Sequence, residues 1–594
     1  MGKKRNDVPL NYQWRLQDIF EDENGWNLAF SEAEALCEEL SSLEYTISTS
    51  ADALYYALKT ESKASLMIEQ LYSYAFMHRD EDNGNPHYQG MTDRAMQLII
   101  KLQSGTAWLS PEILSLDEDL LMEWMSEDRF SVFRFGITDL IRRNQYILSK
   151  QEERLLALAN DPLSGIENAF SMLNDVDLNF GTITDSQGNE ISVTHASYGS
   201  FIEDPDRCVR RDAYQALYRA YRSVNNTISA LYAASVKNDV FQAKARGYHS
   251  SLECALFDGN VPTSVYYELI DGIHAALPSL HKYLDLRKNA LKLERLEMYD
   301  LYTPIVADCA ESVPYSKACI LVKEATAPLG DEYIHFLEQA FQENWIDIYE
   351  NEGKTSGAYS CGVYGVHPYV LLNYRDTLDG AFTLAHELGH AMHSLYSNRS
   401  QPYELSSYKI MVAEVASTVN ESLLISYLLN KETDRTKRAW LLNHFLEQIR
   451  TTCFRQTMFA EFEMKAHEMA ERGEPLTPKS LSQLYKTLNE TYYRGVNVDE
   501  NIIWEWLRIP HFYRAFYVYQ YATGICAAVK ISCDILKNGC CESYLKFLSS
   551  GGSDYPIHQL QEAGVDLTDG SYIREAMALF SERVNELAEL LQLV

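Results

Sequence analysis

Apolar side chains recur at intervals of three and four residues along most of this chain, and no other feature constrains its fold as strongly. The spacing is clear at residues 214–232 and again at residues 333–341. It places the apolar side chains on one face of an α-helix. Strand patterns are few: residues 181–184 and 190–193 predict a hairpin, and residues 369–374 predict one further strand. The sequence therefore predicts a mainly α fold with one small β-sheet.

The charge balance excludes several classes of partner. The 594 residues include 52 Lys and Arg against 84 Asp and Glu, a formal net charge of −32 at pH 7. A surface this acidic repels nucleic-acid backbones and anionic lipid. No stretch approaches the ~18 apolar residues that a membrane span requires. We therefore predict neither nucleic-acid nor membrane binding.

The cysteines and the first residues indicate the cellular compartment. Eleven cysteines are scattered along the chain without a CxxC pair, which favours reduced, mostly buried thiols. The basic residues 1–6 are followed by polar residues, where a signal peptide needs an apolar run. We expect a cytoplasmic protein.

The strongest chemical signal is the pair of histidines in His386-Glu-Leu-Gly-His390. Histidines at i and i+4 lie ~40° apart around a helix and ~6 Å along it, so both imidazoles can reach one metal ion. Glu387 can lean over the same point and act as general base for metal-bound water. Such a motif also occurs by chance on exposed helices, but no other charged residue interrupts residues 382–392, which favours a catalytic site. Asp379 is expected to cap this helix.

A catalytic zinc normally has three protein ligands and one open position, so a third ligand must come from elsewhere. Residues 410–421 predict a second helix, and the turn at residues 397–407 is long enough to make the two helices antiparallel. Glu414 on this helix is one candidate ligand. Glu404 in the turn and Glu421 two turns further along are the alternatives that spacing leaves open.

These residues carry a resemblance to a known family. His386-Glu-Leu-Gly-His390 followed by Ala413-Glu414-Val-Ala-Ser417 and Asn420-Glu421 resembles the oligoendopeptidase F branch of the thimet oligopeptidase family of zinc metallopeptidases. The resemblance extends to residues 365–374 and 509–524, in the family's order. The helices that precede these stretches look like the family's N-terminal lobe.

The resemblance implies a zinc metalloendopeptidase (an oligopeptidase) with a two-lobed, zincin-type helical fold around a deep channel. One zinc ion would be held by His386, His390 and Glu414. Glu387 would activate zinc-bound water for the hydrolysis of internal bonds of short peptides. The small β-sheet would lie near the zinc helix.

The C-terminal stretch corresponds to the family's histidine and tyrosine donors, which hydrogen-bond the substrate carbonyl and the oxyanion. The resemblance assigns this role to His511, Tyr517 and Tyr521. Tyr517 and Tyr521 are also spaced i, i+4, which predicts a shared helical face. The roles of Tyr513 and Tyr519 relative to these two stay open.

Residues 353–365 contain four glycines before the predicted strand. An exposed strand edge beside a zinc helix can pair with an extended peptide and bind it through backbone groups. A plain loop is the alternative.

The division of the chain is expected near residue 200, where the hairpin ends and long helices begin. We predict an N-terminal helical lobe at residues 1–200 and a catalytic lobe at residues 201–594. The oligomeric state leaves no pattern in the sequence.

Two other functions fit part of the pattern. One is an exopeptidase that releases dipeptides from C-termini. The other is a non-catalytic peptide-binding protein with a structural zinc. A structural site usually has four protein ligands and no use for a base, so Glu387 argues against the second alternative.

Overall fold

The computed structural model describes residues 3–306 and 312–593. Within them the chain is mainly α, which confirms the predicted fold class. The α-helices are α1 Glu23–Ser42, α2 Ala51–Glu81, α3 Pro86–Thr106, α4 Leu109–Leu114, α5 Glu118–Met125, α6 Arg134–Asn144, α7 Lys150–Met172, α8 His195–Glu203, α9 Arg207–Ser223, α10 Asn225–Arg246, α11 Ser251–Phe257, α12 Thr263–Ala290, α13 Tyr315–Thr326, α14 Asp331–Gln342, α15 Leu378–Ser400, α16 Ile410–Lys431, α17 Arg435–Ile449, α18 Arg455–Glu471, α19 Pro478–Tyr492, α20 Tyr519–Asn538, α21 Glu542–Leu548, α22 Pro556–Glu562 and α23 Ser571–Leu591.

The strands are short and form three small sheets in the described residues, where the sequence predicted one. The strands are β1 Thr182–Thr184, β2 Glu190–Ser192, β3 Leu296–Glu297, β4 Ile346–Asp347, β5 Tyr359–Cys361, β6 Tyr369–Leu371 and β7 Val496–Asn497. The hairpin β1–β2 and the strand β6 confirm two predictions. Strands β3 and β7 pair in parallel, and the third sheet has the order β4-β6-β5. The prediction of a single sheet was wrong because β3, β4 and β7 are too short to show an alternating pattern.

The chain forms two compact units, and each is built from three separate segments. The first unit contains Met1–Gln145, Ala310–Tyr427 and Ile531–Gly564, and the second contains Tyr146–Cys309, Leu428–Lys530 and Val565–Val594. The predicted lobes, residues 1–200 and 201–594, stay a prediction.

The core of the first unit joins the N-terminal helices to the sheet beside α15. Trp26 of α1 is fully buried, and its Nε1–H donates to the Leu71 carbonyl of α2 at 2.9 Å. Tyr369 and Leu371 of β6 belong to the same apolar cluster. Because β5 and β6 also pack on α15, this cluster gives that helix a fixed support.

Helix α15 begins two turns before the histidine pair, and its cap differs from the predicted one. The side chain of Thr377 accepts a hydrogen bond from Gly380 N at 3.1 Å and is the N-cap. Asp379 lies in the first turn, where a carboxylate is favoured by the helix dipole. The prediction of Asp379 as the cap was wrong, since a hydroxyl two residues earlier satisfies the free N–H group.

Helices α15 and α16 cross closely at a glycine. A Cβ atom at Gly389 would lie 2.6 Å from both the Ala416 carbonyl oxygen and Ser417 Cα. Only a residue without a side chain permits this approach. Asn420 of α16 strengthens the crossing, because its Nδ2 donates to the Ala385 carbonyl at 3.1 Å.

The second unit is held by a charged cluster between α12 and α17. Glu447 accepts from Arg287 at 3.0 Å and from Arg450 at 2.6 Å, and both guanidinium groups are fully buried. Arg287 also donates to the Thr303 carbonyl at 2.6 Å. The cluster thereby fixes the segment that follows β3.

The cysteines form no disulfide in the described residues. Ten are free thiols, and Cys309 lies outside the described residues. Among the helices of residues 3–306 and 312–593, none combines the length and the apolar character that crossing a membrane would require.

Candidate active site

The first unit brings together three side chains that the sequence predicted as metal ligands. The Nε2 atoms of His386 and His390 are 3.2 Å apart. Glu414 Oε2 lies 3.5 Å from the first and 3.6 Å from the second. One ligand atom from each residue lies within 4.8 Å of the others.

This donor set fits a zinc ion. Two imidazole nitrogens and one carboxylate oxygen are ligands that catalytic zinc sites use. The two Nε2 atoms face each other at a distance where two lone pairs would repel, so the arrangement favours a cation or a proton between them. Within the described residues the group has three members, which is the number that leaves one position for a substrate.

Glu421 has a role that the sequence did not predict. Its Oε1 accepts a hydrogen bond from His386 Nδ1 at 2.8 Å. In the neutral imidazole, this bond keeps the proton on Nδ1 and leaves the Nε2 lone pair free to bind a metal. A signal was present in the sequence, since Glu421 lies two helical turns after Glu414 and therefore on the same face of α16.

Glu404, the remaining candidate ligand, is engaged elsewhere. Its Oε1 accepts from Lys59 at 2.9 Å and from Ser62 at 2.8 Å. Glu414 is instead oriented by its own helix, because Ser417 Oγ donates to Glu414 Oε2 at 3.0 Å. The spacing in the sequence could not show which of these carboxylates lies beside the two histidines.

Glu387 is a buried carboxyl group beside the histidines. The residue is 7% exposed, and its Oε2 makes no hydrogen bond in the described residues. Burial raises the pKa of Glu387 to about 7, with Glu414 and Glu421 adding to the shift and His386 opposing it. A carboxyl group with a pKa near neutrality can both accept and return a proton.

The two histidines have opposite electrostatic environments. Burial favours the neutral form of His386, but the hydrogen-bonded Glu421 carboxylate outweighs it and raises the pKa of His386 to about 9. Burial and the neighbouring His386 lower the pKa of His390 to about 4. The group therefore already favours one positive charge at this point.

A cleft of about 700 Å³ opens beside Glu387. Its wall includes residues 356–358, which lead into β5 at the edge of the three-stranded sheet. Asn373 Nδ2 donates to the carbonyls of Thr355 and Gly357 at 2.9 and 2.8 Å and fixes this segment. The cleft thus brings a buried carboxyl group close to the segment that leads into an edge strand.

The predicted oxyanion donors lie in the second unit, where they form one cluster. The ring centroids of His511 and Tyr521 are 5.8 Å apart, and those of Tyr517 and Tyr521 are 5.6 Å apart. The Tyr521 hydroxyl lies 3.4 Å from His511 Nε2. The predicted shared helical face was wrong in one respect: α20 begins at Tyr519, so Tyr517 precedes the helix.

The other two tyrosines of this stretch pack into the second unit. Tyr513 stacks on Phe170 with centroids 4.2 Å apart. Tyr519 is 3% exposed and contacts the ring of Tyr266. Of the four tyrosines, Tyr517 and Tyr521 are therefore the two that surround His511.

Comparisons with known proteins agree along nearly the whole chain. Residues 200–579 match the family model described as Peptidase family M3, and residues 112–180 match the one described as Oligopeptidase F. Oligopeptidase PepF of Bacillus subtilis is 43% identical over 99% of this chain and 89% of that protein. The plasmid-encoded oligoendopeptidase F of Lactococcus lactis subsp. cremoris is 37% identical over 100% and 99%. The crystal structure of oligoendopeptidase-F from Enterococcus faecium is similar with a TM-score of 0.75, 35% identity and coverage of 96% of this chain and 99% of that one.

Proposed function

The chain belongs to peptidase family M3, and from that premise we propose that it is a zinc-dependent endopeptidase that cleaves internal bonds of short peptides. One observation carries the proposal. His386, His390 and Glu414 converge on one point, and the buried acid Glu387 lies next to them on the wall of a cleft.

His386, His390 and Glu414 would hold the zinc ion, and Glu421 would keep His386 in the tautomer that binds it. Bound there, zinc supplies a Lewis acid. Glu387 takes a proton from the attacking water and delivers it to the nitrogen of the leaving amine. Its pKa of about 7 suits both transfers at neutral pH.

We assign the hydrogen bonds to the oxyanion to His511 with Tyr517 or Tyr521. Burial lowers the pKa of His511, which favours a neutral imidazole at neutral pH. A neutral ring still carries one N–H donor. Removing one such donor typically costs ~10²–10³ in rate.

The proposed substrate is an extended peptide that binds along the edge of β5. Pairing with a strand edge uses backbone groups of the peptide and tolerates varied side chains. Because the free thiols suit a reducing compartment, peptides of the cytoplasm are the proposed pool.

The test uses an internally quenched peptide with an amidated C-terminus. The zinc-loaded protein should cut it at an internal bond, and a chelator should abolish cleavage. Cleavage restricted to peptides with a free C-terminus, two residues from the end, would support the dipeptide-releasing alternative.

The same assay tests Glu387. We expect Glu387→Gln to retain one zinc per chain and to lose ~10²–10⁴ or more in kcat, because the base is gone and the ligands are intact. Glu404→Gln is the matched control, since Glu404 bonds Lys59 and Ser62 and should leave kcat unchanged. Substantial turnover by Glu387→Gln with zinc bound would remove Glu387 from the mechanism.

A further inference from the structure

A separate cavity of about 310 Å³ lies inside the second unit. Its walls come from α8, α9, α18 and α19 and from the 3-10 helix Ile502–Arg508. None of its lining residues belongs to the proposed zinc site or to the histidine–tyrosine cluster. The cavity therefore needs its own explanation.

Arg508 provides a positive charge in this cavity. Its guanidinium packs on the ring of Tyr198 at 5.2 Å and interacts with Tyr218. In residues 3–306 and 312–593 it has no ion pair within 4 Å. A guanidinium cannot release its proton in a protein, so the charge is permanent.

Glu505, the carboxylate whose charge acts on Arg508, is already bonded to two other residues. Glu505 Oε1 accepts from Arg455 at 2.6 Å, and Glu505 Oε2 accepts from Tyr485 at 2.5 Å. The hydrogen bonds of Glu505 thus go to Arg455 and Tyr485, and its charge acts on Arg508 only from beyond ion-pair distance. Glu203 also lines the cavity, but it is exposed to solvent.

The remaining polar groups of the cavity include several tyrosine hydroxyls and the side-chain amide of Asn489, whose Oδ1 has no hydrogen-bond partner in the described residues. Tyr198, Tyr302 and Tyr493 all line it, and their hydroxyls make no hydrogen bond in the described part of the chain. None of the three is among the buried atoms that lack a partner, so these hydroxyls are open to the space of the cavity. Three such donors around an unpaired guanidinium form a polar surface that is complementary to negative charge.

We propose that this cavity binds a small molecule through an oxyanion, with a carboxylate or phosphate group paired to Arg508. The guanidinium offers two parallel N–H donors to such a group, and the tyrosine hydroxyls can bond its other oxygens. The tyrosine rings leave an apolar wall for the rest of the ligand. The volume is at the small end of ligand sites, which suits an inorganic oxyanion or a single amino-acid carboxylate.

The experiment titrates the full-length, zinc-loaded protein by calorimetry at constant ionic strength. The probes are inorganic phosphate, acetate, N-acetylphenylalanine and N-acetylphenylalanine amide. We expect saturable one-site binding of phosphate or of the carboxylates, and none of the amide. Phosphate alone would identify an inorganic oxyanion as the ligand class, and N-acetylphenylalanine alone would identify a peptide or amino-acid carboxylate.

Variants separate this cavity from the zinc site, which also attracts anions. Arg508→Gln should weaken binding at least tenfold, whereas Arg508→Lys should restore part of it. Arg472→Gln removes an exposed charge from the same unit and should bind like the wild type. If Arg508→Gln fails to fold, Tyr302→Phe and Tyr493→Phe should each weaken binding several-fold. Absence of saturable binding by every probe, or equal binding by wild type and the cavity variants, would overturn the proposal.

Discussion

At the scale of single residues, three glutamates that look equivalent in the sequence have different surroundings. Glu414 Oε2 lies within 3.6 Å of both imidazole nitrogens. Glu421 bonds the far side of His386, and Glu404 bonds Lys59 and Ser62. Their chemistry is identical, so only position distinguishes the proposed zinc ligand Glu414 from the histidine-bonded Glu421 and the ion-paired Glu404.

These different surroundings predict that the same change, Glu to Gln, affects zinc affinity differently at the three positions. Glu414→Gln should lose the metal, because it removes an anionic ligand. Glu421→Gln should keep zinc with ~10–100-fold weaker affinity, the usual effect of losing a partner of a ligating histidine. Glu404→Gln should bind like the wild type. Competition with a chromophoric chelator measures all three, and full zinc affinity in Glu414→Gln would exclude it as a ligand.

At the scale of helices, the site depends on how closely α15 and α16 cross. The predicted change is Gly389→Ala, whose Cβ would meet the Ala416 carbonyl oxygen at 2.6 Å. The helices must separate, which moves Glu414 away from both histidines. We expect weaker zinc binding and a loss of about 1–3 kcal/mol in the free energy of unfolding. Chelator competition and urea unfolding give the two quantities.

The control for Gly389→Ala is Gly90→Ala on α3 of the same unit. A Cβ there meets nothing within 4 Å. The substitution should stabilise the protein slightly, since glycine is unfavourable inside a helix. Normal zinc affinity in Gly389→Ala would show that the close crossing does not set the ligand geometry.

A second prediction for the elements concerns the acid stability of α12 and α17. Arg287 and Arg450 lower the pKa of Glu447 to about 2, despite the opposing effect of burial. A carboxyl group with a lowered pKa stabilises the folded state above its unfolded pKa of ~4.3, and this contribution is lost as the pH falls towards 2. Glu447→Gln should cost about 3–5 kcal/mol at pH 7, because two buried guanidinium groups lose their partner.

The measurement is urea unfolding of wild type and Glu447→Gln between pH 7 and pH 3. The difference between them should shrink as the pH falls below ~4.3. Glu490→Gln removes an exposed carboxylate 3.8 Å from Lys486 and should cost under ~1 kcal/mol at every pH. If the difference in unfolding free energy stays constant with pH, the arginines do not lower the pKa of Glu447.

The sequence predicted those elements whose patterns repeat. The spacing in residues 214–232 lies on α9 and α10, and the hairpin at residues 182–192 follows from its turn. Two-residue strands carry no period, so the β3–β7 sheet and the strand β4 were missed. The role of Glu421 and the packing of Tyr519 could not be predicted either, because both depend on contacts between segments far apart in the sequence.

At the scale of the whole molecule, the net charge of −32 destabilises the folded state. Like charges on one surface repel, and folding brings them closer together. Dissolved salt screens this repulsion over ~10 Å at 0.1 M. The favourable pairs described above are buried or close, so screening weakens them less than it weakens the repulsion.

The melting temperature should therefore rise with sodium chloride from low to physiological concentration at pH 7.5. Near pH 4.9, the isoelectric point of the sequence, the carboxylates are partly protonated and the net charge vanishes, so the same salt should have little effect. Scanning calorimetry in a chloride series at both pH values measures the two slopes. Arg508→Gln serves as the control. If screening causes the rise in melting temperature, the rise must persist in this variant, in which the proposed anion cavity has lost its positive charge. Equal slopes at the two pH values would refute self-repulsion, and a gain that disappears in Arg508→Gln would attribute the stabilisation to bound anion instead.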